Sequence, residues 1–154
     1  LTVSENIQLA TDTARENSFN FFTASNNQTT ILKKIDFCLR QVGLIKAINQ
    51  PVKSLSHGDC RKLEIAMALA SDAQLLLLDE PMAGLGPTET KEMIALLKRL
   101  KGQQTILLIE HDMDAVFALA DQISVLVSGK IISTGKPDTI RRDSKVQSAY
   151  LGEI

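Results

Sequence analysis

The sequence predicts an α/β domain built on a mostly parallel sheet flanked by helices. Three observations lead there. Leu75-Leu76-Leu77-Leu78 and Thr105-Ile106-Leu107-Leu108-Ile109 are short and almost wholly apolar, the pattern of strands expected to be covered on both faces. Each is preceded by a stretch with apolar residues at helical spacing: Leu63, Ala66, Met67 and Ala70, then Met93, Ile94, Leu96, Leu97 and Leu100. Ser56, Pro87 and Gly102 supply starts and a stop for those helices. In such sheets, ligands gather at the carboxyl ends of the strands.

Residues 1–50 mix short apolar stretches with a polar segment from Ser18 to Thr30. Beyond it, Ile31, Leu32, Ile35, Leu39 and Val42 predict a helix stopped by Gly43. Ser56 is placed to cap a helix over His57 to Ala70, with Arg61, Lys62 and Glu64 on its polar face. The strand from Leu75 ends in two acids, Asp79 and Glu80. Pro87 opens the next helix and Gly102 ends it, the Thr105 strand follows, and a helix is expected from Met113 to Ala120. Ile123 to Val127 and Ile131 to Ser133 read as strands joined at Ser128-Gly129-Lys130, and Pro137 opens a last helical stretch toward Tyr150.

Composition narrows the function. The 154 residues carry 17 basic and 18 acidic side chains, a net charge of −1, which argues against a nucleic-acid partner. Aromatics make up 4%, too few for base-stacking platforms. Cys38 and Cys60 form no C-x-x-C pair, so a reduced, cytosolic compartment is expected and both thiols read as packing. No apolar run approaches the roughly 18–20 residues needed to cross a bilayer.

Three segments carry chemistry. In Leu75-Leu76-Leu77-Leu78-Asp79-Glu80-Pro81, a buried strand delivers adjacent carboxylates to the ligand edge. Asp79 is placed to hold Mg²⁺ and Glu80 to polarise a water; an acidic turn with no ligand is the plainer alternative. Leu55-Ser56-His57-Gly58-Asp59 sits at a helix start, where free N–H groups and the helix dipole attract anions, although a simple cap would look the same. Glu110-His111-Asp112 follows a strand, so His111 is placed to donate to a phosphate oxygen. Metal ligation with Asp112 and Asp114, or capping of the next helix, remains open for it.

In this order and spacing the three segments resemble the ATP-binding-cassette (ABC) ATPases. LSHGD is similar to the family's signature, LLLLDEP to its Walker B strand with the catalytic glutamate, and EHD to its switch histidine. Met82-Ala83-Gly84-Leu85-Gly86-Pro87 occupies the place of the D-loop. LSHGD with RKLEIAMALA, DEPMAGLGP, LLIEHDM, Ile131 to Ile140 and Ala149-Tyr150-Leu151-Gly152-Glu153 is similar to the ATPase subunits of branched-chain amino-acid importers. His57 and Asp59 replace the usual glycine and glutamine, and Gly86 stands where many members carry aspartate.

The resemblance implies a P-loop NTPase-like sheet, with residues 1–70 as part of the helical subdomain and 71–154 as the C-terminal part of the ATPase core. It implies ATP hydrolysis coupled to import of branched-chain or other hydrophobic amino acids, with Asp79 on Mg²⁺ and Glu80 and His111 catalytic. Ser56, His57, Gly58 and Asp59 would meet ATP bound to a second ATPase subunit in a head-to-tail pair. The other implied partners are membrane permease subunits and, indirectly, a periplasmic solute-binding protein. The place is the inner face of the cell membrane.

No G-x-x-x-x-G-K-[S/T] occurs and the first residue is Leu1, so the chain is expected to be the C-terminal portion of such a protein, inactive alone. A non-enzymatic fragment that offers its signature face to a partner is a second reading. Urea-type and lipopolysaccharide-type ABC ATPases are further ones.

Overall fold

The computed structural model describes residues 1–16 and 27–151. Phe19, Phe21 and Phe22, which the sequence leaves open between a local packing cluster and a groove for a membrane subunit, lie outside the described residues. The chain divides into two compact units, Leu1–Ile109 and Glu110–Ile154.

The first unit opens with α1 (Val3–Glu16), which the mixed composition of residues 1–50 concealed. Its start is a reciprocal cap: Thr2 N donates to Glu5 Oε2 at 2.7 Å, and Glu5 N donates to Thr2 Oγ1 at 3.3 Å. Those bonds hold the Glu5 carboxyl below its ordinary pKa. Helix α2 (Asn27–Val42) ends as predicted, with Gly43 at φ +79° closing it. Two single 3₁₀ turns, Ile45–Ala47 and Val52–Ser54, lead into α3 (His57–Ala70).

Helix α3 packs against both α1 and α2. Val3 and Ile7 of α1, Ile35, Cys38 and Leu39 of α2, and Leu63, Ile65, Ala66 and Ala70 of α3 are all buried. Each large aliphatic among them contributes about 1.5–3 kcal/mol of burial free energy. Ile65 adds to the predicted face, so α3 is enclosed on more than one side. Burial also raises the pKa of the Cys38 thiol, with Lys34 opposing and Asp72 reinforcing the shift, and so supports its reading as packing. Cys60 is half-buried within α3.

Strand β1 (Leu75–Asp79), helix α4 (Pro87–Lys101) and strand β2 (Thr105–Ile109) form a β-α-β unit. The strands pair in parallel, Leu75 opposite Thr105 through Asp79 opposite Ile109. Parallel neighbours need a crossover, and α4 supplies it. Its Met93, Leu96, Leu97 and Leu100 are buried. The expected cover on both faces is realised on one: Leu76 is 2% exposed, whereas Leu77 is 68%, Leu107 55% and Ile109 58% exposed. Among the described residues nothing covers that second face.

The second unit contains α5 (Met113–Leu119), β3 (Ile123–Val127), β4 (Lys130–Gly135), α6 (Pro137–Arg141) and α7 (Ser144–Leu151). Strands β3 and β4 are antiparallel, joined by Ser128 at φ +49° and Gly129 at φ +77°. A two-residue connection with both φ positive is a primed turn, which joins antiparallel strands only. The parallel part of the fold is therefore the β1–β2 pair. Ile123, Val125, Ile140 and Val146 form the core of this unit, and the Arg141 guanidinium lies 4.5 Å from the Phe117 ring centroid.

Candidate functional site

Strand β1 delivers its carboxylates as the sequence predicted. Asp79 is its last residue, and the ladder runs one step further, with Glu80 N donating to Ile109 O at 2.9 Å. Glu80 adopts φ +46°, a region where its β-carbon is crowded and which costs about 1–3 kcal/mol for a non-glycine residue. A tight turn holds it there. Ala83 N donates to Glu80 O at 2.9 Å, Leu85 N to Met82 O at 3.1 Å, and Pro81 and Met82 are buried. Both Asp79 and Glu80 stay exposed at the strand's carboxyl end.

The start of α3 is built differently. Ser56, extended at φ −65° and ψ 164°, caps it by accepting from Asp59 N through Oγ at 3.1 Å. The amides of His57 and Gly58 precede the first intrahelical bonds and point out of the helix end, where the dipole is positive. The Ser56 cap is neutral, and the nearest carboxylate to these amides is that of Glu89 in α4, beside Gly58. The Asp59 carboxylate turns instead to Lys62, whose Nζ donates to it at 3.3 Å and to Glu92 of α4 at 2.7 Å. Burial alone would lower the Lys62 pKa, but the two carboxylates outweigh it and raise it, while Lys62 holds Glu92 below its ordinary value.

Two further contacts join this helix start to the turn after Glu80. His57 Nε2 lies 3.3 Å from the Ala83 carbonyl. Glu89, which accepts from Gly86 N at 3.2 Å, also lies so close to Gly58 that a β-carbon there would meet its Oε1 at 2.7 Å. Sequence reasoning singled out His57, Gly58 and Asp59 but missed their respective partners Ala83, Glu89 and Lys62, and Glu92 behind Lys62. The detectable signal was Glu89, placed three residues after the Gly86 cap position.

His111 belongs to the second unit and is exposed two residues beyond β2. Its amide donates to Glu110 Oε2 at 3.2 Å. Asp112, and not His111, caps α5, accepting from Ala115 N at 3.1 Å. That engagement takes Asp112 away from the metal-ligand alternative. Among the described residues no group of three His, Cys, Asp or Glu side chains could hold a metal ion unaided. Magnesium on a phosphate substrate needs only one or two protein carboxylates, with phosphate and water completing its shell. Exposed Asp79 fits that donor set.

A strand ending in two carboxylates, followed by a strained turn tied to a neutral-capped helix start, suits water-driven attack on a bound phosphate. The chain is similar to proteins of one family. The family profile described as ABC transporter matches residues 1–83, and the one described as branched-chain amino acid ATP-binding cassette transporter matches residues 130–153. The high-affinity branched-chain amino acid transport ATP-binding protein LivG of Escherichia coli is 41% identical over 128 residues, 82% of this chain and 50% of that protein. The corresponding BraF of Pseudomonas aeruginosa is 41% identical over 117 residues, 75% of this chain and 46% of its own length. The chain thus spans about half the length of these relatives. Among solved structures, the ADP conformation of MJ1267, an ATP-binding cassette of an ABC transporter, superposes with a TM-score of 0.79 at 25% identity, covering 99% of this chain and 63% of that one. With a profile match across more than half of its residues, and the signature and Walker B segments in the geometry just described, the chain belongs to the ABC transporter family.

Proposed function

We propose that this chain is the signature- and Walker B-bearing part of the ATP-hydrolysing subunit of an importer for branched-chain amino acids. The observation that supports it most is the joint presence, in one compact unit, of the Ser56-capped start of α3 and the Asp79-Glu80 end of β1. The profile match at residues 130–153 favours the branched-chain class over the urea and lipopolysaccharide types.

In this reading residues 1–70 form part of the helical subdomain, ending in the signature helix, and 71–154 the C-terminal part of the ATPase core. Asp79 would hold Mg²⁺, whose charge would offset that gathering on the phosphate oxygens. Glu80 accepts the proton of the attacking water or orients it, and its backbone, fixed by the Ala83 amide and the Ile109 carbonyl, keeps the carboxylate aimed without reorganisation. His111 donates to the γ-phosphate. The amides of His57 and Gly58, with the Ser56 hydroxyl, meet ATP held mainly by an opposing ATPase subunit, while the Asp59 amide, engaged by Ser56 Oγ, serves by holding that hydroxyl in place. Permease subunits take up the resulting closure at the inner face of the membrane, and a solute-binding protein feeds them from outside. Among the described residues no helix is long and apolar enough to cross a membrane.

The direct test replaces Glu80 with Gln in the assembled transporter. Loss of general-base help lowers steady-state ATP hydrolysis about 100-fold or more, while ATP binding is retained. Hydrolysis within about threefold of the unsubstituted complex contradicts the role given to Glu80.

A further inference from the structure

We propose that His57 is a positioning residue whose imidazole ties the start of α3 to the turn that aims Glu80. The contact is a two-bond relay. Ala83 N donates to Glu80 O at 2.9 Å, and the carbonyl of the same residue faces His57 Nε2 at 3.3 Å. A carbonyl only accepts, so the Nε2 proton is the one shared, which fixes the tautomer or charge state of the ring. Gly84, next along the turn, has φ +75° and lies against that ring: a β-carbon there would sit 3.3 Å from Nε2. Glycine thus serves twice, supplying the left-handed backbone and leaving room for the imidazole. Beside the relay, Glu89 accepts from Gly86 N and fills the space that a β-carbon at Gly58 would need.

The Nε2 of His57 is therefore engaged within its own chain. Because Glu80 sits in a strained conformation, its carboxylate direction depends on what holds Ala83. A small shift of the α3 start on meeting an anion reaches Glu80 through two hydrogen bonds. This inference rests on the ATPase reading for its catalytic consequence, but the contact itself does not.

Two substitutions separate the possibilities. The amide nitrogen of glutamine falls where Nε2 lies, whereas that of asparagine falls near Nδ1 and cannot reach Ala83. In the assembled transporter, His57→Asn lowers kcat for ATP about tenfold and leaves KM within about twofold, and His57→Gln returns kcat to within about threefold of the unsubstituted complex. In the same nucleotide-free complexes, amide exchange across residues 82–86 is faster in His57→Asn and unchanged in His57→Gln. Equal exchange in all three proteins, or a raised KM with unchanged kcat, overturns the proposal. If the unsubstituted complex hydrolyses no ATP, the ATPase reading fails, and the exchange comparison still decides whether the relay exists.

Discussion

The starts of α3 and α4 lie against each other, yet they answer the same electrostatic problem in opposite ways. Each helix presents unsatisfied N–H groups and a positive dipole end. Helix α4 consumes its own: Pro87 has no N–H to leave over, and the Glu89 carboxylate folds back onto Gly86 N. Helix α3 is capped by the neutral hydroxyl of Ser56, and the acid of its first turn, Asp59, is drawn off by Lys62. Helix α5 repeats the α4 solution with the Asp112 carboxylate. A start closed by its own carboxylate is structural, and a start closed by a hydroxyl leaves charge for a ligand. That difference is the basis for proposing the start of α3, rather than that of α4, as the end that meets an anion.

The contrast can be erased by design. Ser56→Asp converts α3 to the α5 type of start: aspartate caps as well as serine, so thermal stability changes little, but its charge opposes phosphate and turnover falls about tenfold or more. Unchanged turnover would show that the neutral cap is irrelevant to function. Ser56→Ala removes the cap altogether and costs about 1 kcal/mol in urea unfolding. A change within the error of the unfolding curve would mean that Glu89 and Lys62 hold the helix start without it.

The smallest effect is that of the Lys62–Glu92 pair, an exposed bridge weakened by salt. The Lys62 pKa is raised, so its contribution is complete below the unfolded lysine value and disappears as pH climbs through the folded one. The Glu92 pKa is lowered, so its contribution is complete above the unfolded glutamate value and disappears as pH falls through the folded one. The bridge therefore works between about pH 5 and pH 10. A double-mutant cycle with Lys62→Met and Glu92→Gln should give coupling at neutral pH and none in strong acid. Coupling that persists in acid would place its origin in packing.

Much of this was legible in the sequence, because strong local signals coincide with the elements. The apolar runs became β1 and β2, the Ser56, Pro87 and Gly102 signals bounded α3 and α4, and the carboxylates emerged at a strand end. Helix α1 was missed although Thr2-Val3-Ser4-Glu5 carries a capping-box pattern, since its apolar stripe is thin. The orientation of β3 and β4 followed from the Ser128-Gly129 turn, whose backbone angles override the strand-helix alternation seen earlier in the chain. The bare faces of Leu77, Leu107 and Ile109 show that an apolar run records what a strand can bury, not what covers it. The His57–Ala83 contact was illegible, because it depends on a left-handed Glu80 turning the chain back toward α3.

The central claim, that the start of α3 and the end of β1 act on different nucleotides across a pair of subunits, is tested most directly by where two substitutions are placed. Ser56→Asp on one subunit and Glu80→Gln on the other leaves one intact composite site, whereas both substitutions on the same subunit break both sites. Single-turnover ATP hydrolysis by the two assembled pairs should therefore survive in the split arrangement and vanish in the combined one. Hydrolysis that vanishes in the split pair and survives in the combined pair would contradict it, placing both groups at the nucleotide of their own chain.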